Sequence, residues 1–313
     1  MIHPMPWNDL VRRRFKLRDL DILMAVIGAG SMGKAASRLN MAQPAISKAV
    51  ADLEHMLGVR LLDRSRQGVE PTAHGLALCK RGVAVFDELR HGFQDIDFLN
   101  DPTAGELRLA ATEPVAAAII APLVDRLAQQ YPRMTFHVVT GVTEIVCREL
   151  ADRKIELGVS RLVGPLAEEF SPETLFHDPV VVIAGANSPL TRRRKIGLAD
   201  LLDEPWVLPL ESFFGSVVAA SFRAEGLEPP RTTIATTTHT MRNELLATGR
   251  YLSAGPGFSV RHPRKHALLR VLLELPNTRS PIAIITLKNR SLGPVAQLFI
   301  ERLRVFTRPL AKA

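Results

Sequence analysis

Leu17, Leu20, Leu23 and Ile27 recur at helical spacing between Arg18, Asp19 and Asp21. That period predicts an amphipathic helix, which Gly28 or Gly30 ends as a C-terminal stop. Ser31 is placed to cap a second, short helix over 32–39. Ile46, Val50, Leu53 and Leu57 fall at i, i+4, i+7 and i+11, one face of a third helix from about Gln43 to Leu57. Pro44 sits in its first turn, where proline loses no hydrogen bond. Two short β-like runs then flank Gln67-Gly68 and predict a hairpin. From Thr72, a residue placed to cap, a long helical pattern runs to about Leu99. Phe86, Leu89, Phe93 and Ile96 form its a/d seam, which reads as a dimer helix. The polar run 100–105 reads as a hinge.

Beyond it the pattern changes to strand, helix, strand, helix, strand. Leu107–Ala111, Thr135–Thr140 and Ile155–Ser160 are the strands; Pro114–Tyr131 and Glu144–Arg153 are the helices. This order predicts a parallel open sheet, whose ligands bind beyond the C-terminal strand ends. Thr112 and Thr143 stand there at helix starts, as N-caps or as anion-attracting sites. Strand-like runs at Val180–Ala184, Trp206–Leu208, Thr232–Thr236 and Leu252–Ala254 predict a second lobe. The strand Pro281–Leu287 and the amphipathic helix Pro294–Phe306 are expected to return to the first.

Composition adds an anionic partner. The chain of 313 residues carries a formal charge of +8, and residues 1–75 hold eleven Lys/Arg against seven Asp/Glu. A basic excess of this kind suits nucleic acid. Two distant cysteines, Cys79 and Cys147, suit a reducing cytoplasm and exclude a C-x-x-C metal site. No apolar stretch follows Arg12–Arg14, so no secretory signal is expected, and no run approaches a membrane span.

One motif competes with this picture. Gly28-Ala29-Gly30-Ser31-Met32-Gly33 spells G-x-G-x-x-G, the turn of a dinucleotide-binding oxidoreductase. Lys34 nearly extends it to a phosphate-binding loop, but Ala35 lacks the metal-binding hydroxyl. A dinucleotide site needs a long crossover helix and a second strand; Pro44 cuts the helix short, and the next segment is helical rather than alternating. Asp52 and Glu54 therefore lie on a helix, not at a strand end. Elsewhere the sequence holds no H-E-x-x-H, no G-x-S-x-G and no paired Cys/His cluster. No catalytic residue, metal site or cofactor is expected.

The run from Gly30 to Gly75 resembles the N-terminus of LysR-type transcriptional regulators. It contains the paired Ala35-Ala36, "QPAISKAVADLE", "LGVRLLDR" and "PTAHG" in that family's order and spacing. The resemblance implies an α/β chain: a winged helix-turn-helix (1–74), a linker and dimerisation helix with its hinge (75–104), and an effector domain (105–313). That domain is two-lobed, like type II periplasmic binding proteins, with lobe I at about 105–178 and 281–306 and lobe II at about 179–280. Carried over by position, Ser31, Gln43, Pro44, Ser47 and Lys48, with Arg64 and Arg66 in the wing, face double-stranded DNA. Relatives often have arginine in place of Lys48, and lysine cannot make the planar bidentate contact to guanine. The small-molecule cleft would be lined by Thr112, Glu113, Thr143 and Arg161 on one side, and by Ser212, Phe213, Thr238 and His239 on the other. Arg250 and Tyr251, bulkier than the family's usual residues, would alter its rear wall. The basic second half leans towards an anionic metabolite.

The expected protein is a cytoplasmic homodimer or homotetramer that binds an inverted-repeat DNA site, with no membrane partner. A nicotinamide-dependent oxidoreductase and a transport-type binding protein are the rival classes.

Overall fold

The computed structural model describes residues 15–65, 68–209, 212–261 and 268–312. The chain divides into two compact units, one up to Arg90 and one from His91.

Among the described residues, the first unit holds three helices, a hairpin and the first part of a fourth helix. Helix α1 (Leu17–Ala29) ends where Gly30 turns left-handed at φ 62°, a conformation that a side chain disfavours. Helix α2 (Met32–Leu39) ends on Asn40, also left-handed at φ 51°. Helix α3 (Gln43–Leu57) has Pro44 in its first turn. Leu23, Val26, Ala35, Ile46, Val50, Leu53 and Leu61 close a small core between them. Strands β1 (Leu62–Ser65) and β2 (Gly68–Pro71) pair antiparallel. Thr72 then starts α4 (Ala73–Asn100): its hydroxyl accepts from the Gly75 N–H at 3.1 Å and donates to the Arg60 carbonyl at 2.8 Å. Only glycine fits at 75, because a Cβ there would lie 2.1 Å from the Leu61 oxygen.

The second unit holds two five-stranded sheets. In lobe I, β3 (Ala104–Ala111) is central to the parallel part, flanked by β4 (Arg133–Thr140) and β5 (Leu157–Arg161). Strand β12 (Ser280–Leu287) returns antiparallel between β5 and β6 (Phe170–Asp178). Helix α5 follows β3 as three continuous pieces: Glu113–Val115, a π-helical turn Ala116–Ile120, and Ala121–Gln130. Helices α6 (Thr143–Ala151) and α10 (Pro294–Thr307) complete the lobe. Leu107, Leu109, Ile119, Leu157, Ile282 and Phe299 are its buried centre.

Lobe II begins with β7 (Val180–Gly185), which the chain enters directly from β6. Its sheet runs β11–β7–β10–β8–β9, with β8 (Trp206–Leu208), β9 (Thr232–Ala235), β10 (Leu252–Pro256) and β11 (Leu269–Glu274). Helices α7 (Phe213–Ala224) and α8 (His239–Ala247) and the single turn α9 (Gly257–Val260) pack around it. Trp206 and Phe222 meet edge to face at 6.0 Å in its core.

Strands β6 and β11 went unread in the sequence; both are edge strands, and β6 carries Pro172, which an edge tolerates because no ladder bond is lost. The dinucleotide reading is overturned. Gly28 lies within α1, Gly30 between the two helices and Gly33 within α2, so a helix rather than a strand precedes the turn. A Cβ at Gly28 would meet nothing within 4 Å, and one at Gly33 would meet only side-chain atoms at 3.6 Å and beyond. Neither position needs glycine for a close backbone approach.

Candidate functional site

Two surfaces carry the expected chemistry. The first is the start of α3. Burial of Ile46, Val50 and Leu53 on one face leaves Gln43, Pro44 and Lys48 exposed on the other, with Ser47 half-buried. No side chain caps this helix: Pro44 has no N–H, and the Ala45 and Ile46 N–H groups donate to the Ala42 carbonyl at 3.0 and 3.3 Å. Ser31 occupies the N-cap of α2, but its hydroxyl makes no capping bond, contrary to the role its position suggested.

The hairpin is fixed to this scaffold at three points. The Val69 N–H donates to the Gly30 carbonyl at 3.0 Å. Glu54 Oε1 accepts from the Leu61 and Leu62 N–H groups at 2.7 and 3.1 Å. Thr72 makes the third tie. Glu54, a candidate ribose ligand under the dinucleotide reading, is thus the residue that sets the hairpin's entry. Arg64 is exposed on β1; Arg66 lies outside the described residues.

The second surface is where the lobes face each other. Glu113, on the first turn after β3, reaches across to His239, the first residue of α8. Glu113 Oε2 lies 2.8 Å from His239 Nδ1. One turn along α8, Arg242 is 9% exposed. Its Nε and Nη2 donate to Asn243 Oδ1 at 3.3 and 3.0 Å. Burial pushes its guanidinium down to about 10, with the charge of Glu113 opposing. Arg242 was missed in the sequence, although it shares the i, i+4 face of buried Leu246, a position where a charge has to have a reason.

The other expected cleft residues separate into three groups. Thr112 sits at the N-cap of α5 with no side-chain capping bond, and Thr238 is exposed at the N-cap of α8. Thr143 is bound internally: its hydroxyl lies 2.6 Å from Ser160 Oγ and donates to the Arg161 carbonyl at 3.3 Å. Arg161, Ser212 and Phe213 make contacts of their own. Arg161 is 6% exposed; it donates to the Asp178 carbonyl and to Ser280 Oγ, each at 2.6 Å, and pairs with the Asp178 carboxylate. Ser212 is the working N-cap of α7, accepting from the Gly215 N–H at 3.2 Å. Phe213 packs on the lobe II core beside Phe214.

Asp178 is the joint of this arrangement. It ends β6, where the chain leaves lobe I, and its two oxygens accept from the Gly257 and Phe258 N–H groups at 2.9 and 2.7 Å. Burial pushes its carboxyl up and the Arg161 guanidinium down, while the pair's mutual attraction opposes both shifts. Arg250 stacks on Tyr251 at 5.4 Å, and Tyr251 packs with Leu246, Val260 and Leu269, so the expected change to the rear wall is replaced by ordinary core packing. Both cysteines are partly buried, which pushes their thiols up and away from nucleophilic reactivity.

Comparison with known proteins matches residues 17–76 to the bacterial regulatory helix-turn-helix of the lysR family and residues 100–307 to the LysR substrate binding domain. The HTH-type transcriptional regulator GbpR of Azospirillum brasilense is 29% identical over 74% of this chain and 69% of its own length. YdcI of Escherichia coli, an uncharacterized HTH-type regulator, is 27% identical over 96% and 98%. Among solved structures, a full-length OxyR variant from Pseudomonas aeruginosa superposes with a TM-score of 0.64 at 22% identity, covering 95% of this chain and 96% of that one. CbnR, a LysR family regulator, superposes at 0.59 and 23% identity over 94% and 100%. No described helix is long and apolar enough to cross a membrane. The chain belongs to the LysR family of transcriptional regulators, with a DNA-binding helix-turn-helix and an effector-binding domain.

Proposed function

We propose that Gln43, Pro44, Ser47 and Lys48 enter the major groove of an inverted-repeat DNA site, that Arg64 and Arg66 contact its backbone or minor groove, and that an anionic metabolite bound between the lobes biases this binding. The working division is 1–74 for DNA, 75–104 for the linker, and 105–313 for the effector, acting in the cytoplasm as a homo-oligomer. The linker's seam supports the last point: Leu89, Phe93 and Ile96 are exposed, Phe93 by 67%, and a partner helix would cover them. The family match makes a regulator the reading, and the Gly28–Gly33 stretch on which an oxidoreductase would hold its cofactor has a helix, not a strand, before its turn.

Arg242 carries the choice of effector. The buried Arg242 guanidinium shares the charge of Glu113 with His239, which Glu113 contacts directly. An anion brought in by the effector would compensate the guanidinium. Thr112, Thr143 and Thr238 would frame the rest of the ligand. The test is a thermal-shift panel of carboxylates, sugar phosphates and neutral sugars on the full chain. A carboxylate or phosphate that stabilises wild type but not Arg242→Met supports the reading. Stabilisation by neutral sugars alone, or an anion response unchanged in Arg242→Met, would reject it.

A further inference from the structure

A cavity of about 520 Å³ opens on lobe I away from the Glu113–His239 contact. That volume is in the range, roughly 300–1,000 Å³, of small-molecule sites. Its floor is apolar and buried: Leu123 and Leu127 of α5 and Phe258 of α9. Its wall is the last turns of α10, where Val305 is 56% exposed although it lies against this apolar floor. Three guanidiniums stand at the rim and are compensated differently. Arg261 pairs with Glu274. Arg126 lies over the Phe306 ring at 5.2 Å. Among the described residues, no carboxylate pairs with Arg126 or Arg302.

We infer that this cavity is a second ligand site, separate from the cleft, for an amphipathic carboxylate: one anionic head for Arg302 and Arg126, and an unbranched or aryl apolar body for the floor. An apolar ligand without charge would leave the rim cations unused, and a sugar or a free inorganic anion would leave Leu123, Leu127 and Phe258 in contact with polar atoms or water. The location gives the site a route to the hinge. The Phe258 N–H is held by Asp178 at 2.7 Å, at the end of the strand that leads into lobe II. Ala118, in the π-helical turn of α5, lines the same cavity. Widened turns of this kind recur at functional sites. A body lodged against Phe258 therefore presses on a residue tied directly to the crossover.

The experiment uses the full chain, decanoate as the ligand, and anilinonaphthalene sulfonate as a displaceable amphipathic probe. Decanoate should displace the probe saturably. Arg302→Glu should weaken decanoate at least tenfold, and Val305→Trp, which fills the mouth, should abolish its binding. Lys195→Glu on a distant exposed loop should leave it unchanged, which separates this site from net charge, and the Arg302→Glu loss should persist in an Arg242→Met background, where carboxylate binding in the cleft is removed. Circular dichroism establishes that each variant folds, and Arg302, being exposed, keeps the test alive if Val305→Trp does not. Equal decanoate binding in all four variants would overturn the inference. So would a Val305→Trp variant that changes the sedimentation coefficient while binding decanoate normally, because the face would then be a contact between copies of the chain.

Discussion

Glu113 and His239 meet at 2.8 Å across the two lobes, one at the first turn after a lobe I strand and the other at the first turn of a lobe II helix. The contact joins the elements between which an effector would enter. Under the proposed function, Glu113 takes the place of a ligand anion beside His239.

Glu113→Gln then removes a competitor for the Arg242 charge. It should tighten binding of any anionic effector several-fold, measured by titration calorimetry. Weaker binding would mean that Glu113 contacts the ligand favourably instead.

Arg242→Met should separate stability from function. A buried cation with a single, shared counter-charge is costly, and apolar replacement of such groups is often stabilising. The unliganded variant should melt higher, by roughly 2–4 °C for each kcal/mol recovered, while losing its anion response. A lower melting point would show that the Asn243 bonds outweigh the burial cost.

Asp178 is a structural joint. Asp178→Ala leaves the Arg161 guanidinium buried and the Gly257 and Phe258 N–H groups without acceptors. Breaking one partner of such a pair costs about 3–5 kcal/mol, read by urea unfolding. The double variant Arg161→Met with Asp178→Asn should be less destabilised than Asp178→Ala, because no unpaired charge stays inside.

The Arg304–Glu173 fork lies on the surface at 2.7 and 2.8 Å. Arg304 holds the Glu173 carboxyl below the usual carboxylate range. A lowered acid contributes stability above its unfolded pKa and loses it as pH falls through the folded one. The melting-point gap between wild type and Arg304→Met should be small, present near neutrality, and closed in the acid limb below about 4.5. A gap that persists at acid pH would assign it to packing of the arginine stem.

Much of this was legible from spacing alone. The 3–4 period of Ile46, Val50 and Leu53 predicted α3 and its exposed face, and the β–α–β–α–β alternation predicted the parallel part of lobe I. Local patterns do not report where a side chain goes once distant strands meet. Arg161 lay at a strand end facing the expected cleft, yet Asp178 and Ser280, far along the chain, take its donors. Ser212 and Phe213 were drawn likewise into a cap and a core. Arg242 was hidden because its burial depends on a neighbouring strand: a Cβ at Gly255 would lie 3.4 Å from its Nη1. The glycine motif misled for the opposite reason. Its letters matched, but the backbone around them was helical, and the one glycine with a conformational role, Gly30, orients the hairpin through Val69.

The most direct test of the regulator is selection of genomic fragments by the purified full chain, followed by anisotropy on the selected duplex across a salt series. The account predicts one enriched inverted-repeat motif. It also predicts that Lys48→Ala weakens the duplex and lowers the log–log salt slope by about 1 if Lys48 meets a phosphate. Enrichment of no motif, with Lys48→Ala binding all fragments like wild type, would contradict it.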